Sequence, residues 1–164
     1  MTDYEKTTGV VCDCMIYLQA VANEQSPAAE IFRLLDQEKI TLFISEDILR
    51  EVKDVLSRQE VRKSFPHLTD KIVEIFLERI QNKAIEIFNI PEEFRYERDA
   101  KDAPYINLAL VTESAYLVSR DTDLLDLMDK AKPAGESFRL KYPFLRIVKP
   151  QKFLDEIENA EKMN

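Results

Sequence analysis

Thr41-Leu42-Phe43-Ile44-Ser45 runs directly into Glu46-Asp47-Ile48-Leu49-Arg50-Glu51-Val52-Lys53-Asp54-Val55-Leu56-Ser57, and the fold is read from this stretch. Its first residues are a short apolar run of strand length, and Ser45 is a residue type that caps helices. From there Ile48, Leu49, Val52, Val55 and Leu56 recur with the 3.6 period of an amphipathic helix. A buried strand followed by a one-faced helix is the building unit of an α/β fold. On the N-terminal side, Val10-Val11-Cys12-Asp13 reads as an earlier buried strand, followed by a helix over Ile16 to Ala22 and another from Ser26-Pro27 to near Glu38. On the C-terminal side the pattern predicts a helix over Thr69 to Gln81, a third strand over Ala84 to Phe88 and a helix over Pro104 to Thr112. A fourth strand at Tyr116 to Val118, a short helix over Thr122 to Met128, a fifth strand at Leu145 to Val148 and a closing helix after Pro150 follow. Pro133 to Pro143 reads as a loop or irregular helix, and the polar tail Asp155 to Asn164 is expected to fray. Strands alternating with helices imply a mainly parallel sheet.

Composition narrows the classes. With 164 residues, 45% hydrophobic and 33% charged, the chain is expected to form one domain over residues 1–164, with its core over about residues 9–157 and polar termini. A net charge of −8 excludes the overall basic field of a non-specific nucleic-acid binder, though not a local basic surface. The 2 glycines, Gly9 and Gly135, exclude a Walker A loop and a dinucleotide fingerprint. Cys12 and Cys14 match neither a zinc pair nor a thioredoxin-like motif and are read as reduced, in a cytoplasmic protein. No apolar run approaches the roughly 20 residues of a membrane span, and the polar Met1 to Thr8 stretch lacks the hydrophobic segment of a signal peptide. His67 stands alone, so chemistry is expected to rest on carboxylates.

In an open parallel sheet the ligand crevice lies outside the carboxyl ends of the strands. Asp13 closes the first apolar run, Asp121 follows Val118 by three residues with Asp123 close behind, and Asp102 precedes Ala103-Pro104 at a helix start. At about 100° per residue, Glu51 lies nearest the edge of the apolar arc of its helix, while Asp47 and Asp54 point further into solvent. Acids converging at one place repel one another, and oxygen-liganded divalent cations relieve this; Mg²⁺ or Mn²⁺ suits a site without Cys or His clusters. Such ions activate water and stabilise the charge of a phosphodiester displacement. A plainer role is open for several acids: Asp102 and Asp121 as helix caps, Glu51 as a solvated helix acid. For Asp13 no helix spacing demands an acid, which favours function over structure there.

Two segments carry a family resemblance. Arg98-Asp99-Ala100-Lys101-Asp102-Ala103-Pro104-Tyr105-Ile106-Asn107-Leu108-Ala109 and Tyr116-Leu117-Val118-Ser119-Arg120-Asp121-Thr122-Asp123-Leu124-Leu125 resemble the central and C-terminal acidic motifs of PIN domain nucleases, in particular the VapC-like toxin components of bacterial toxin–antitoxin pairs. Weaker pieces agree in order: Ile44-Ser45 with Ile48 to Val52 and Leu56-Ser57-Arg58, and Ile147 to Leu154. The resemblance covers nearly the whole chain. It implies a three-layer α/β/α PIN-like fold with a five-stranded sheet of order 3-2-1-4-5, and a metal-dependent ribonuclease site. It implies Asp13, Asp102, Asp121 and, with a weaker match, Asp123 as ligands of Mg²⁺ or Mn²⁺, and Asp13, Glu51, Asp102 and Asp121 as the catalytic acids. Glu51 would bind the metal directly or through water, Ser119 would orient a ligand, and Asp99 stands as a family-typical residue outside the ligand set. Implied partners are RNA as substrate, an antitoxin protein and a second copy of the chain in a homodimer, with no membrane.

One position departs from the family pattern. The first aspartate is usually followed by a small residue and then Asn, whereas here Cys14 and Met15 follow Asp13, and Met15 cannot supply that amide. A catalytically weak or inactive PIN-fold scaffold, acting through a protein partner, is therefore the alternative. A response-regulator receiver domain shares the α/β order but fits the two late acidic motifs poorly. From Lys130 to Lys152, 7 basic residues stand against the single acid Glu136, which reads equally as an RNA-backbone track or as a solvated surface.

Overall fold

Val10, Val11 and Cys12 are all fully buried although successive strand residues point to opposite faces, so both faces of β1 (Thr8–Cys12) are covered. The same holds for β2 (Ile40–Ser45), buried along its whole length. The structure, a computed structural model, describes residues 7–163; the polar residues 1–6 and Asn164 lie outside them.

From β1 the chain passes through α1 (Cys14–Ala22) and α2 (Pro27–Asp36) to β2, then through α3 (Glu46–Ser57), α4 (Gln59–Ser64) and α5 (Asp70–Lys83) to β3 (Ile85–Ile87). After α6 (Ala103–Val111) come β4 (Tyr116–Val118), α7 (Thr122–Leu125), a 3-10 turn over Asp126–Met128, α8 (Pro133–Lys141), β5 (Arg146–Val148) and α9 (Pro150–Met163). All pairings are parallel and the spatial order is β3-β2-β1-β4-β5. The α/β class and the 3-2-1-4-5 order are thus those expected. Because the chain builds outward from β1 on one side and then returns to its other side with β4, the crevice of the fold opens between the ends of β1 and β4. Cys12 pairs with Val118 at that point, and the Asp13 amide donates to the Val118 carbonyl at 3.1 Å.

Capping follows the sequence closely in the first half. Ser26, Ser45 and Thr69 accept from the amides of Ala29, Ile48 and Ile72, and Pro27 occupies the first turn of α2. Elsewhere the structure corrects the reading. Pro133 to Lys141 is a regular helix; Gly135 permits it, because a Cβ there would collide with the carbonyls of Asp129 and Asp126 on which α8 packs. The tail does not fray from Asp155: α9 continues to Met163, with Phe153 fully buried, Leu154 and Ile157 against the core, and a Lys162–Glu158 ion pair along it. α4 was not visible in the sequence, since none of its residues is buried and no apolar face marks it.

Candidate active site

Asp13 follows the last residue of β1 and takes an extended backbone, φ −74° and ψ 165°, that starts α1. Its Oδ1 accepts from the amides of Met15 at 3.0 Å and Ile16 at 3.3 Å, and its Oδ2 accepts from the Ser119 hydroxyl. The expectation that no helix demands this acid is therefore corrected: Asp13 caps α1. The helix begins at Cys14 rather than at Ile16, and this one-residue gap between strand and helix places Asp13 itself at the cap. Ser119, fully buried just past β4, also accepts from the Asp121 amide at 2.9 Å, so one hydroxyl joins the ends of the two central strands. Burial raises the Asp13 carboxyl to about 6, against the lowering effect of its three hydrogen bonds.

Asp102 reverses this picture. It precedes α6 with a helical backbone, φ −82° and ψ −25°, and makes no side-chain cap bond, so the capping role open to it in the sequence is not the one it plays. It is 6% exposed, and its Oδ2 is one of two buried side-chain polar atoms without a hydrogen-bond partner among the described residues. Burial, followed by the charges of Asp121, Asp99, Asp123 and Asp13, pushes its carboxyl up to about 7. Asp121 does cap a helix: it accepts from the Asp123 amide at 2.8 Å and opens α7.

Carboxylate oxygens of Asp99, Asp102, Asp121 and Asp123 all lie within 4.8 Å of one another. Asp99, placed outside the ligand set by the resemblance, is part of this group. It arrives there through a turn in which the Asp102 amide donates to its carbonyl at 3.1 Å, and the three-residue spacing of the two acids was the available signal. Arg98, missed in the sequence, holds Asp123 through Nε and reaches Asp126 at 2.7 Å. An all-oxygen set with one buried, donor-free carboxylate oxygen fits a hard divalent cation, since such an atom is costly unless something positive meets it.

Asp13, Glu51, Asp102, Asp121, Lys101 and Arg120 line one cleft of about 430 Å³. Glu51 is outside the four-acid group. Its Oε2 accepts from the Tyr105 hydroxyl at 2.6 Å and its Oε1 from the Cys14 thiol at 3.2 Å. Asp47 and Asp54 are exposed and paired with Arg50 and Arg58, as the helix geometry implied. Met15, 45% exposed, also borders the cleft. Cys12 and Cys14 are free thiols, and burial raises that of Cys14 to about 12. Of the basic stretch after Lys130, Lys132 is engaged by Asp126 and Arg146 by Glu156, which favours the surface reading for those two.

The family model described as PIN domain matches residues 9–123, a span that includes both central strands and every acid of the cleft. The chain belongs to the PIN domain family. PIN domains are usually nucleases that use divalent metals and act on nucleic acid, and the acidic cluster of this PIN domain accords with that. The chain is also 27% identical over 149 residues to an uncharacterized protein of Methanocaldococcus jannaschii, covering 91% of each. No solved structure gives a significant match. Among the described residues, no helix of this PIN domain is long and apolar enough to cross a membrane.

Proposed function

We propose that this PIN domain is a metal-dependent endoribonuclease that hydrolyses RNA phosphodiester bonds. The observation that carries the reading is the donor-free, buried Oδ2 of Asp102 inside a group of four carboxylates, at the crevice where a parallel sheet places its chemistry. Asp13, Asp102, Asp121 and Asp123 are the residues that would hold Mg²⁺ or Mn²⁺, with Asp99 beside them. The ion, when bound, supplies an acidified water and neutralises charge on the phosphate. Ser119 keeps Asp13 in place through its hydroxyl, and Glu51, lining the cleft outside the group, accepts a hydrogen bond from the attacking water. Lys101 and Arg120 add positive charge to the same cleft, which favours an RNA backbone over a neutral ligand.

The test is cleavage of a mixed single-stranded RNA pool by purified protein with Mn²⁺, Mg²⁺ or chelator, alongside Asp13→Asn and Asp121→Asn. Cleavage that needs the metal and is lost in both variants supports the reading; absence of cleavage together with absence of Mn²⁺ binding by calorimetry overturns it. A role as the toxin of a toxin–antitoxin pair, as a cytoplasmic homodimer, rests on the two long acidic motifs and their resemblance. Growth arrest on expression, relieved by a co-expressed partner, would support that role, and unaffected growth would count against it. One observation favours the scaffold reading instead: Met15 puts a thioether where the family pattern has an amide, at the edge of the cleft. Replacing it, Met15→Asn, should raise the cleavage rate if the amide matters.

A further inference from the structure

Glu51 is held in an unusual way for an acid lining a cleft. Tyr105 lies on α6 and is 2% exposed, and its hydroxyl accepts from the Cys14 amide at 3.2 Å while donating to Glu51 Oε2 at 2.6 Å. A phenol has one proton, and the Cys14 amide occupies its acceptor side, so that proton is directed at Glu51. The Cys14 thiol donates to the other oxygen at 3.2 Å. The first backbone amides of α1 are thereby all answered, Met15 and Ile16 by Asp13 and Cys14 by Tyr105, in one set of contacts that also grips Glu51. With a donor on each oxygen the carboxylate cannot rotate freely, and its remaining lone pairs are fixed in direction.

The geometry points to Tyr105 as a positioning residue: its hydroxyl, with the Cys14 thiol, clamps the Glu51 carboxylate so that it orients the attacking water rather than joining the metal-holding acids. This rests on the nuclease reading above. Orientation of a reacting group is gained at the chemical step and not on substrate or metal binding. Tyr105→Phe removes one oxygen atom and keeps the buried ring. The expected result is a fall of about tenfold in the rate at saturating RNA, the usual scale for one charge-assisted hydrogen bond, with the KM for RNA and the Mn²⁺ affinity within about twofold of the parent. In a Glu51→Gln background the same change should cost less than about twofold, because the clamp has nothing left to aim. Tyr17→Phe, which removes a fully buried phenol hydroxyl that meets no partner among the described residues, should leave the rate unchanged.

A readout independent of activity is the proton NMR signal of the Tyr105 hydroxyl, expected as a slowly exchanging downfield resonance that Tyr105→Phe removes and Glu51→Gln moves. Absence of that signal overturns the clamp. So does an unchanged rate in Tyr105→Phe, a loss confined to KM, or an equal loss with and without Glu51→Gln. A parent protein that cleaves no RNA overturns the nuclease reading, and the catalytic use of the clamp with it, whereas cleavage at the parent's rate in Tyr105→Phe overturns the clamp alone.

Discussion

Asp102 and Glu51 line the same cleft, yet Asp102 is buried with an oxygen that meets no donor, whereas both oxygens of Glu51 are held. Around Asp102 the neighbours are other carboxylates, and Arg98, which reaches into that group, is taken up by Asp123 and Asp126. Around Glu51 the neighbours are neutral donors, the Tyr105 hydroxyl and the Cys14 thiol, that fix its direction. The difference separates two uses of the same side-chain chemistry: a group of acids left in mutual repulsion is prepared for a cation, while an acid held on both oxygens is prepared to accept a further hydrogen bond in a fixed direction.

This contrast can be broken most directly at Asp102. Asp102→Asn should lower metal-dependent cleavage by about a hundredfold or more, yet raise the melting temperature of the chelator-treated protein, because it removes one of the repelling charges. Thermal melts and RNA cleavage on one preparation check both halves; a variant that melts lower would show that the cluster is not strained without its ion.

A pH series sharpens the same point. Asp13 and Asp102 hold their protons to about 6 and about 7 in the folded protein against 3.8 in the unfolded chain. A raised carboxyl value contributes stability that is complete below the unfolded value and is lost as pH climbs through the folded one. Without metal, the protein should therefore lose stability as pH rises between about 4 and 7, which thermal melts across that range check. Mn²⁺ requires the ionised acids, so the melting-temperature gain it brings should be larger at pH 7.5 than at pH 5.

Arg98 offers a smaller test. Arg98→Ala takes a positive charge away from Asp123 and Asp126, and Mn²⁺ measured by calorimetry should bind a few fold more tightly. The smallest effect is expected from the other donor-free buried atom, the Tyr17 hydroxyl: Tyr17→Phe should stabilise the fold by about 1 kcal/mol in denaturant unfolding, since nothing binds at that oxygen. Two orphaned oxygens, one that awaits an ion and one that does not, would then have been told apart.

Periodicity along the chain was enough for the order of the strands and of the helices other than α4 and α8, because burial of β1, β2 and the apolar face of α3 is written locally in Val10 to Cys12, Thr41 to Ile44 and Ile48 to Leu56. It was also enough to see that acids stand just past strand ends, and the family resemblance supplied the sheet order. Which carboxylate does what was beyond it. The sequence offers a cap role to Asp102 and none to Asp13, and a backbone angle reverses the two: ψ of 165° lets Asp13 reach the amides of α1, while ψ of −25° turns Asp102 away from those of α6. The entry of Asp99 into the acidic group and the grip of Tyr105 and Cys14 on Glu51 join residues as far as 54 positions apart. Only the packing of α1, α3 and α6 around the ends of β1 and β4 decides such contacts, because hydrogen bonds and charge repulsion act over a few ångströms of space and take no account of distance along the chain.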